Sequence, residues 1–381
     1  LKQAVQLDPK FALAWAELSV AESFGYYTLT LQPTLALREE IQQAAETAIT
    51  LQPDLGEGLF AKGSYHSWCL KDYGTAIRYY EQARKLLPND SRIPEALAAM
   101  ARRQGQWDQS EPLYKEAERL DPRNGSLLLQ HALYKIALRH FVEALRKLDQ
   151  VLDINPDDPY ALAVKAGIAQ MQGDLPRAAE LLAPLHPNPD QTQVLEIQIY
   201  QAILERRPAE IIARLKEILV KPDSALGYLN GELRFCLGWA QDIAGDHTGA
   251  RETWLQARSE LEGFLKDQPQ NYSLMGDLAL ANMALGDKAA ALTLVERAVA
   301  ENPIEKDAGI GPRPLEMLAR VAAQTGETDR AIGTVQKLLS TPGGARFRIP
   351  IGLTPALLRL DPMFDPLRID PRFQKVCEET K

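Results

Sequence analysis

The sequence is poor in the residues that most often carry chemistry. Its 381 residues include three cysteines, Cys69, Cys236 and Cys377, and five histidines. The cysteines are far apart and form no CxxC, so a disulfide framework or a zinc ribbon is not expected. Sparse thiols of this kind fit the reducing cytoplasm, and a fold that needs no disulfides can also sit in the periplasm. His66 and Cys69 lie three apart, but zinc requires three or four ligands, and ordinary packing is the simpler reading. No metal and no cofactor are expected. The phosphate-cradling GxxxxGK[ST] loop, a GxGxxG turn, HExxH and the GxSxG elbow are all missing. Gly309-Ile310-Gly311-Pro312 is a loop with two glycines and nothing more. Acidic pairs such as Glu39-Glu40 and Asp157-Asp158 read as solvated helix ends, and this chain is not expected to be an enzyme. Positive charge is also short, with 43 Lys and Arg against 51 Asp and Glu, a net charge of −8. Nucleic acid is therefore not an expected partner, since phosphate binding calls for a basic excess. No apolar run approaches the roughly 18 residues of a membrane span, so no membrane insertion by this chain is expected.

What the sequence does have is apolar residues, 45% of the total, beside 25% charged residues. That balance supports a buried core over most of the length. The apolar residues obey a repeating rule. A small residue is followed four positions later by a large one, three later by a small or aliphatic one, and five later by proline. The copies are Ala76, Tyr80, Ala83, Pro88; Ser110, Tyr114, Ala117, Pro122; Ala144, Leu148, Val151, Pro156; and Ala291, Val295, Ala298, Pro303. Residues four and three apart share one helix face. The small residue admits a close helix neighbour, the large one fills the space between hairpins, and proline ends the helix. Before these helices stand short breaks: Gly105-Gln106, Gly173-Asp174, Gly245-Asp246, Gly286-Asp287 and Gly326-Glu327. Glycine suits a left-handed helix end, and the acid suits the next helix start.

On these residues the sequence resembles a tetratricopeptide repeat array, built from antiparallel helix pairs of 34 residues. The spacing of Pro88, Pro122 and Pro156 equals that period. The resemblance implies an all-α, right-handed solenoid of about nine helix pairs. Units fall near 11–54, 55–89, 91–124, 125–158, 159–190, 191–228, 229–270, 271–311 and 312–342. Residues 1–10 read as the closing helix of a truncated repeat, as expected of a piece of a longer protein. The array is expected over 1–342, with irregularities at several points. These are a long connection from Gly25 to Pro33, a sixth unit with Pro208 and Ile211 at the glycine and small-residue positions, an extended helix from Thr248 to Lys266, and an insertion over 303–313.

Residues 343–381 differ from the array. They open on Gly343-Gly344-Ala345-Arg346-Phe347-Arg348 and continue through three Asp-Pro pairs, Asp361-Pro362, Asp365-Pro366 and Asp370-Pro371. Asp before Pro starts helices. Short capped turns are expected, then a terminal helix from about Pro371, with the Leu, Phe and Ile residues covering the exposed end of the stack. The phrase is similar to the ends of tetratricopeptide regions in large bacterial signalling proteins that carry a serine/threonine kinase, a winged-helix domain or a nucleotide cyclase.

The family resemblance further implies that first helices of successive pairs line a groove for a protein or peptide. Matching positions give Ala16, Val20 and Phe24, then Phe60, Ser64 and Trp68 with a one-residue register shift. Arg102 and Arg103 come next, then Phe235 and Trp239, and finally Glu316 and Arg320. Phe60, Trp68, Arg102, Arg103, Phe235, Trp239 and Arg320 are the candidate partner-binding residues, because aromatic and arginine side chains anchor interfaces most often. The clamp for chaperone tails is not matched, since Leu129, Leu133, Ala163 and Gly167 occupy its positions. A regulatory recognition array within a signalling protein is the leading expectation. The alternatives are a stand-alone scaffold of a secretion or envelope complex, and a small-molecule or enzymatic site between hairpins. Homo-oligomers are a further possibility.

Overall fold

The computed structural model describes residues 1–28, 30–343 and 352–378, and among these the chain is helical with no strand. The stretch from Gly344 to Arg348 lies outside the described residues. A lone helix α1 (Lys2–Leu7) precedes nine helix pairs. These are α2 (Ala12–Thr28) with α3 (Leu35–Leu51), and α4 (Gly56–Ser64) with α5 (Tyr73–Leu86). Then come α6 (Arg92–Arg103) with α7 (Trp107–Leu120), α8 (Gly125–Ala137) with α9 (Phe141–Ile154), and α10 (Pro159–Gln172) with α11 (Leu175–Leu182). The later pairs are α12 (Thr192–Leu204) with α13 (Ala209–Val220), α14 (Leu229–Ile243) with α15 (His247–Asp267), α16 (Tyr272–Ala284) with α17 (Lys288–Glu301), and α18 (Pro312–Thr325) with α19 (Thr328–Ser340). A final segment holds α20 (Pro355–Leu360), a 3-10 turn Pro362–Leu367 and α21 (Pro371–Glu378). The chain divides into two compact units, 1–127 and 128–381.

The small–large–small rule is the packing rule of each pair. Ala76, Tyr80 and Ala83 are buried, as are Ser110, Tyr114 and Ala117, and Ala144, Leu148 and Val151. The large residue leans on a small one of its own first helix. A Cβ added to Gly63 would come within 2.5 Å of the Tyr80 ring, and one added to Gly238 within 2.4 Å of Trp254. Glycine is what lets these helices approach so closely.

The turn between the helices of a pair needs one left-handed residue. Gly105, Gly173, Gly245, Gly286 and Gly326 supply it at φ between 75° and 87°. The acids after three of them cap the next helix: Asp174 accepts from Arg177 N–H, Asp246 from Gly249 N–H and Asp287 from Ala290 N–H. In three pairs the left-handed residue is not glycine but Lys71, Arg139 or Arg206. A Cβ there costs roughly 1–2 kcal/mol. Arg206 explains how the sixth pair turns without glycine. The first pair departs from expectation: α2 runs through Gly25 to Thr28, so the long connection is shorter than the sequence suggests.

In the second unit the array closes on itself. Arg139 donates to the carbonyls of Leu338 (3.0 Å) and Thr341 (3.2 Å), and Gly343 N–H donates to Ala137 O (2.8 Å). The turn after α8 therefore meets the end of α19. The last segment does not lie on the final pair alone, in contrast to the cap expected from its sequence. Thr354 Oγ1 donates to Met171 O at the end of α10 (2.6 Å), and Arg206 pairs with Asp365 (2.7 Å). Gln324 of α18 donates to Met363 O (2.7 Å), and Arg372 pairs with Asp329 at the start of α19 (2.7 Å). Leu357, Leu358, Met363, Phe364, Leu367, Phe373 and Val376 are buried, whereas Ile369 points to solvent. The segment thus clasps α10 and the turn after α12 to α18 and α19, because its apolar residues find cover only among several hairpins.

Candidate functional site

The first helices of the first unit form a face curved enough for non-adjacent pairs to touch. Arg92 of α6 reaches across α4 to Glu17 of α2 (2.8 Å) while also holding Asp90 (2.6 Å). Near the other end, Arg103 of α6 donates to the Tyr27 hydroxyl of α2 (2.7 Å) and, more weakly, to the Tyr73 hydroxyl (3.4 Å). Its guanidinium lies 5.1 Å from the Tyr27 ring centre and 5.6 Å from that of Tyr73. Two arginines therefore brace the curve at its two ends.

Between the braces α4 does not continue as an ordinary helix. Residues Tyr65–Cys69 form a π-helical turn. Such a turn inserts one extra residue and shifts the helical register beyond it, and it recurs at functional sites. Trp68 sits in it, and its ring meets Phe24 of α2 edge-on, with ring centres 5.6 Å apart and planes at 64°. Phe24 is 53% exposed and Trp68 half-buried, so the pair offers an accessible aromatic surface.

The remaining candidates of the first unit behave differently. Phe60 is buried against Tyr80 (5.3 Å) beneath the Arg92 guanidinium (5.1 Å). It is core and is not open to a partner. Arg103 is buried in its brace and carries structure rather than a free charge. Arg102 is half-buried, and its Nε has no hydrogen-bond partner among the described residues. Beside Trp68, burial pushes the Cys69 thiol up to about 11, which removes it from thiolate chemistry at neutral pH. His66 turns to Asp72 (3.4 Å) and to the Tyr79 ring (5.5 Å). Among the described residues no group of three or more His, Cys, Asp or Glu could hold a metal, and no helix is long and apolar enough to cross a membrane.

In the second unit the expected groove residues are covered. Phe235 and Trp239 of α14 are buried, with ring centres 6.3 Å apart. Arg320 of α18 is 1% exposed and clamps Glu316 (2.8 Å) and Asp361 of the C-terminal segment (2.5 Å). Burial alone would lower its pKa, but the charges of Asp361 and Glu316 hold it well above the ordinary value. Asp361, fully buried, also accepts from the Tyr200 hydroxyl of α12 (2.7 Å). These three candidates are not accessible, because the helices carrying them have no open face: α14, α16 and α18 are buried along most of their length. The sequence of α18 carried no signal of this, since Pro312–Thr325 has Arg313, Glu316, Arg320 and Gln324 among its apolar residues and is as amphipathic in pattern as α6. Tyr200 and Asp361 were missed as partners of Arg320. Only the conspicuous Asp-Pro phrase pointed to Asp361, and nothing in the sequence pointed to Tyr200.

The family model of the tetratricopeptide repeat matches residues 70–125, 129–188 and 254–304. No curated protein sequence matches the chain. Similar solved structures include the APC/C hetero-tetramer Cut9–Hcn1, with a TM-score of 0.46 and 16% identity over 84% of this chain and 51% of that one. This chain therefore spans about half the length of that relative. Others are YrrB, described as a TPR protein with an unusual peptide-binding site (TM-score 0.33, 14% identity, 52% of this chain and 91% of that), and Pseudomonas aeruginosa pilF (TM-score 0.41, 13% identity, 57% and 98%). The chain carries tetratricopeptide repeats in three stretches, set within an all-α array of helix pairs.

Proposed function

We propose that this chain works by recognition rather than catalysis, holding a protein or peptide partner on the curved face of its first unit. One observation carries the reading. Phe24 is exposed there against a half-buried Trp68, while Phe235, Trp239 and Arg320 of the second unit are buried. Accessible aromatics in a braced concavity are the usual anchors of an interface. The Asp-Pro phrase at the C-terminus supports a setting within a larger bacterial signalling protein in the cytoplasm. A kinase, cyclase or DNA-binding domain encoded upstream would bear that out, and a secretory leader in its place would favour an envelope scaffold.

The test is affinity capture from the native host with the full chain and three variants. Phe24→Ala and Trp68→Ala are expected to lose the same partner, each by roughly 30-fold or more if it is an anchor worth about 2 kcal/mol. Trp239→Ala is expected to keep it. Equal capture by wild type, Phe24→Ala and Trp68→Ala would remove the first-unit face from consideration.

A further inference from the structure

We propose that Arg320 and Tyr200 form a carboxylate-recognition site for Asp-Pro-x-Phe segments, and that residues 352–378 are the ligand that the chain supplies to it. The segment docks as a peptide does, through a few side-chain contacts to backbone and one anchored charge. Arg320 Nη1 donates to Asp361 Oδ2 at 2.5 Å and the Tyr200 hydroxyl donates to the same oxygen at 2.7 Å. Those two donors come from α18 and α12, helices of different pairs. Gln324 of α18 then takes the carbonyl of Met363 (2.7 Å), and the Phe364 ring lies under the Arg320 guanidinium (5.2 Å).

The ligand part is pre-shaped by its own sequence. Asp361 Oδ1 accepts from Met363 N–H (2.9 Å) and Asp361 O from Phe364 N–H (3.1 Å). Pro362 fixes the turn between them. One carboxylate oxygen holds the turn, leaving the other for the receptor, and Phe364 falls on the same side. Asp, Pro and Phe are all short-range requirements, so another chain carrying the phrase makes the same contacts.

The closed state dominates for a simple reason. The segment belongs to the same chain as its receptor, and covalent linkage gives an effective concentration on the order of millimolar. A free peptide of equal affinity at micromolar concentration loses to it by about a thousandfold. Weakening the built-in ligand while leaving the receptor intact removes that advantage. This site rests on the reading of the array as a peptide holder, but it uses a different face from Phe24 and Trp68.

The experiment adds a fluorescent peptide of sequence 354–374 to the full chain. Asp361→Ala is expected to bind it at least about tenfold more tightly than wild type, in line with one decade of the effective-concentration advantage. The peptide with Asn in place of its Asp361 is expected to bind poorly, and the double variant Asp361→Ala, Arg320→Met is expected not to bind. No binding by a folded Asp361→Ala, or equal binding by it and by wild type, overturns the proposal. If Asp361→Ala does not fold, the native thiols decide. Cys377 lies in α21 and Cys236 in α14, both buried. Alkylation of wild type with mass-spectrometric readout is expected to label Cys377 faster than Cys236, and faster still with excess peptide. Equal rates at the two thiols mean that the segment leaves only when the whole unit unfolds, and the proposal then falls. Phe24→Ala in the Asp361→Ala background is expected to leave peptide binding unchanged, so failure here leaves the first-unit reading standing.

Discussion

Arg320 and Asp361 meet at 2.5 Å across 41 residues of chain, and neither side chain reaches solvent. A buried pair is costly to break from one side, because the surviving charge stays in a low-dielectric site. Arg320 would keep Glu316 but lose its closer partner. Asp361→Ala is therefore expected to cost about 3–5 kcal/mol in the stability of the closed second unit. The loss should appear first as release of residues 352–378, measured by protease sensitivity alongside a denaturant melt. Arg320→Met with Asp361→Leu in one chain is expected to recover a good part of the loss. A double variant as unstable as the sum of the two singles would contradict this account.

Gly63→Ala tests the packing rule. The added Cβ would stand 2.5 Å from a Tyr80 ring that is itself buried. Overpacking of this kind costs roughly 1–3 kcal/mol. Replacing Tyr80 with Leu in the Gly63→Ala background should return some of it. A Gly63→Ala protein with an unchanged midpoint would show that the close approach of α4 and α5 is not limiting.

Arg206→Gly and Arg139→Gly should behave in opposite ways although both relieve a left-handed non-glycine residue. Arg206 is exposed and its pair with Asp365 is a surface pair, worth at most about 1 kcal/mol. Relief of roughly 1–2 kcal/mol of backbone strain makes Arg206→Gly neutral or stabilising. Arg139 instead donates to two carbonyls at the end of α19 and holds the closure. Two charged hydrogen bonds at about 1.5–3 kcal/mol each outweigh the relieved strain. Arg139→Gly should therefore destabilise. Thermal melts of the two variants, side by side, decide it, and the same sign for both would refute the argument.

Glu95 of α6 should give the first unit a pH dependence. Burial pushes its carboxyl from the ordinary 4.5 up to about 7. A carboxyl raised in the folded state binds more protons folded than unfolded, so the stability it contributes is complete below about pH 4.5 and is lost as pH rises towards 7. The size is on the order of 3 kcal/mol. Glu95→Gln is expected to be the more stable protein at pH 8 and to flatten the slope between pH 5 and pH 8. Urea melts at the two pH values check both statements, and parallel curves for wild type and variant would assign the slope to other groups.

The helix pairs were legible from the sequence because their determinants are local. Ala76, Tyr80, Ala83 and Pro88 lie within one helix and its end, and Gly173-Asp174 makes its own turn and cap. Such contacts depend on residues three to five apart, and spacing alone reveals them. Repeat spacing puts Trp68 at a groove position, but its contact with Phe24 is made from a π turn, which obeys no simple residue rule. Phe60 and Arg103 look like anchors in a repeat count. Phe60 is covered by Arg92 of the next pair, and Arg103 by Tyr27, which arrives from a pair not adjacent to its own.

By itself the sequence determined the repeating hairpins, their boundaries of glycine and proline, and the pre-shaped Asp-Pro turns of the C-terminal segment. Only the tertiary structure decided which concave face is open. Arg139 reaches Thr341 over 202 residues, Tyr200 reaches Asp361 over 161, and Thr354 reaches Met171 over 183. The reason is physical: burial is shared among surfaces far apart in the chain, and whether Phe235 is a groove residue or a core residue depends on what curvature brings against it.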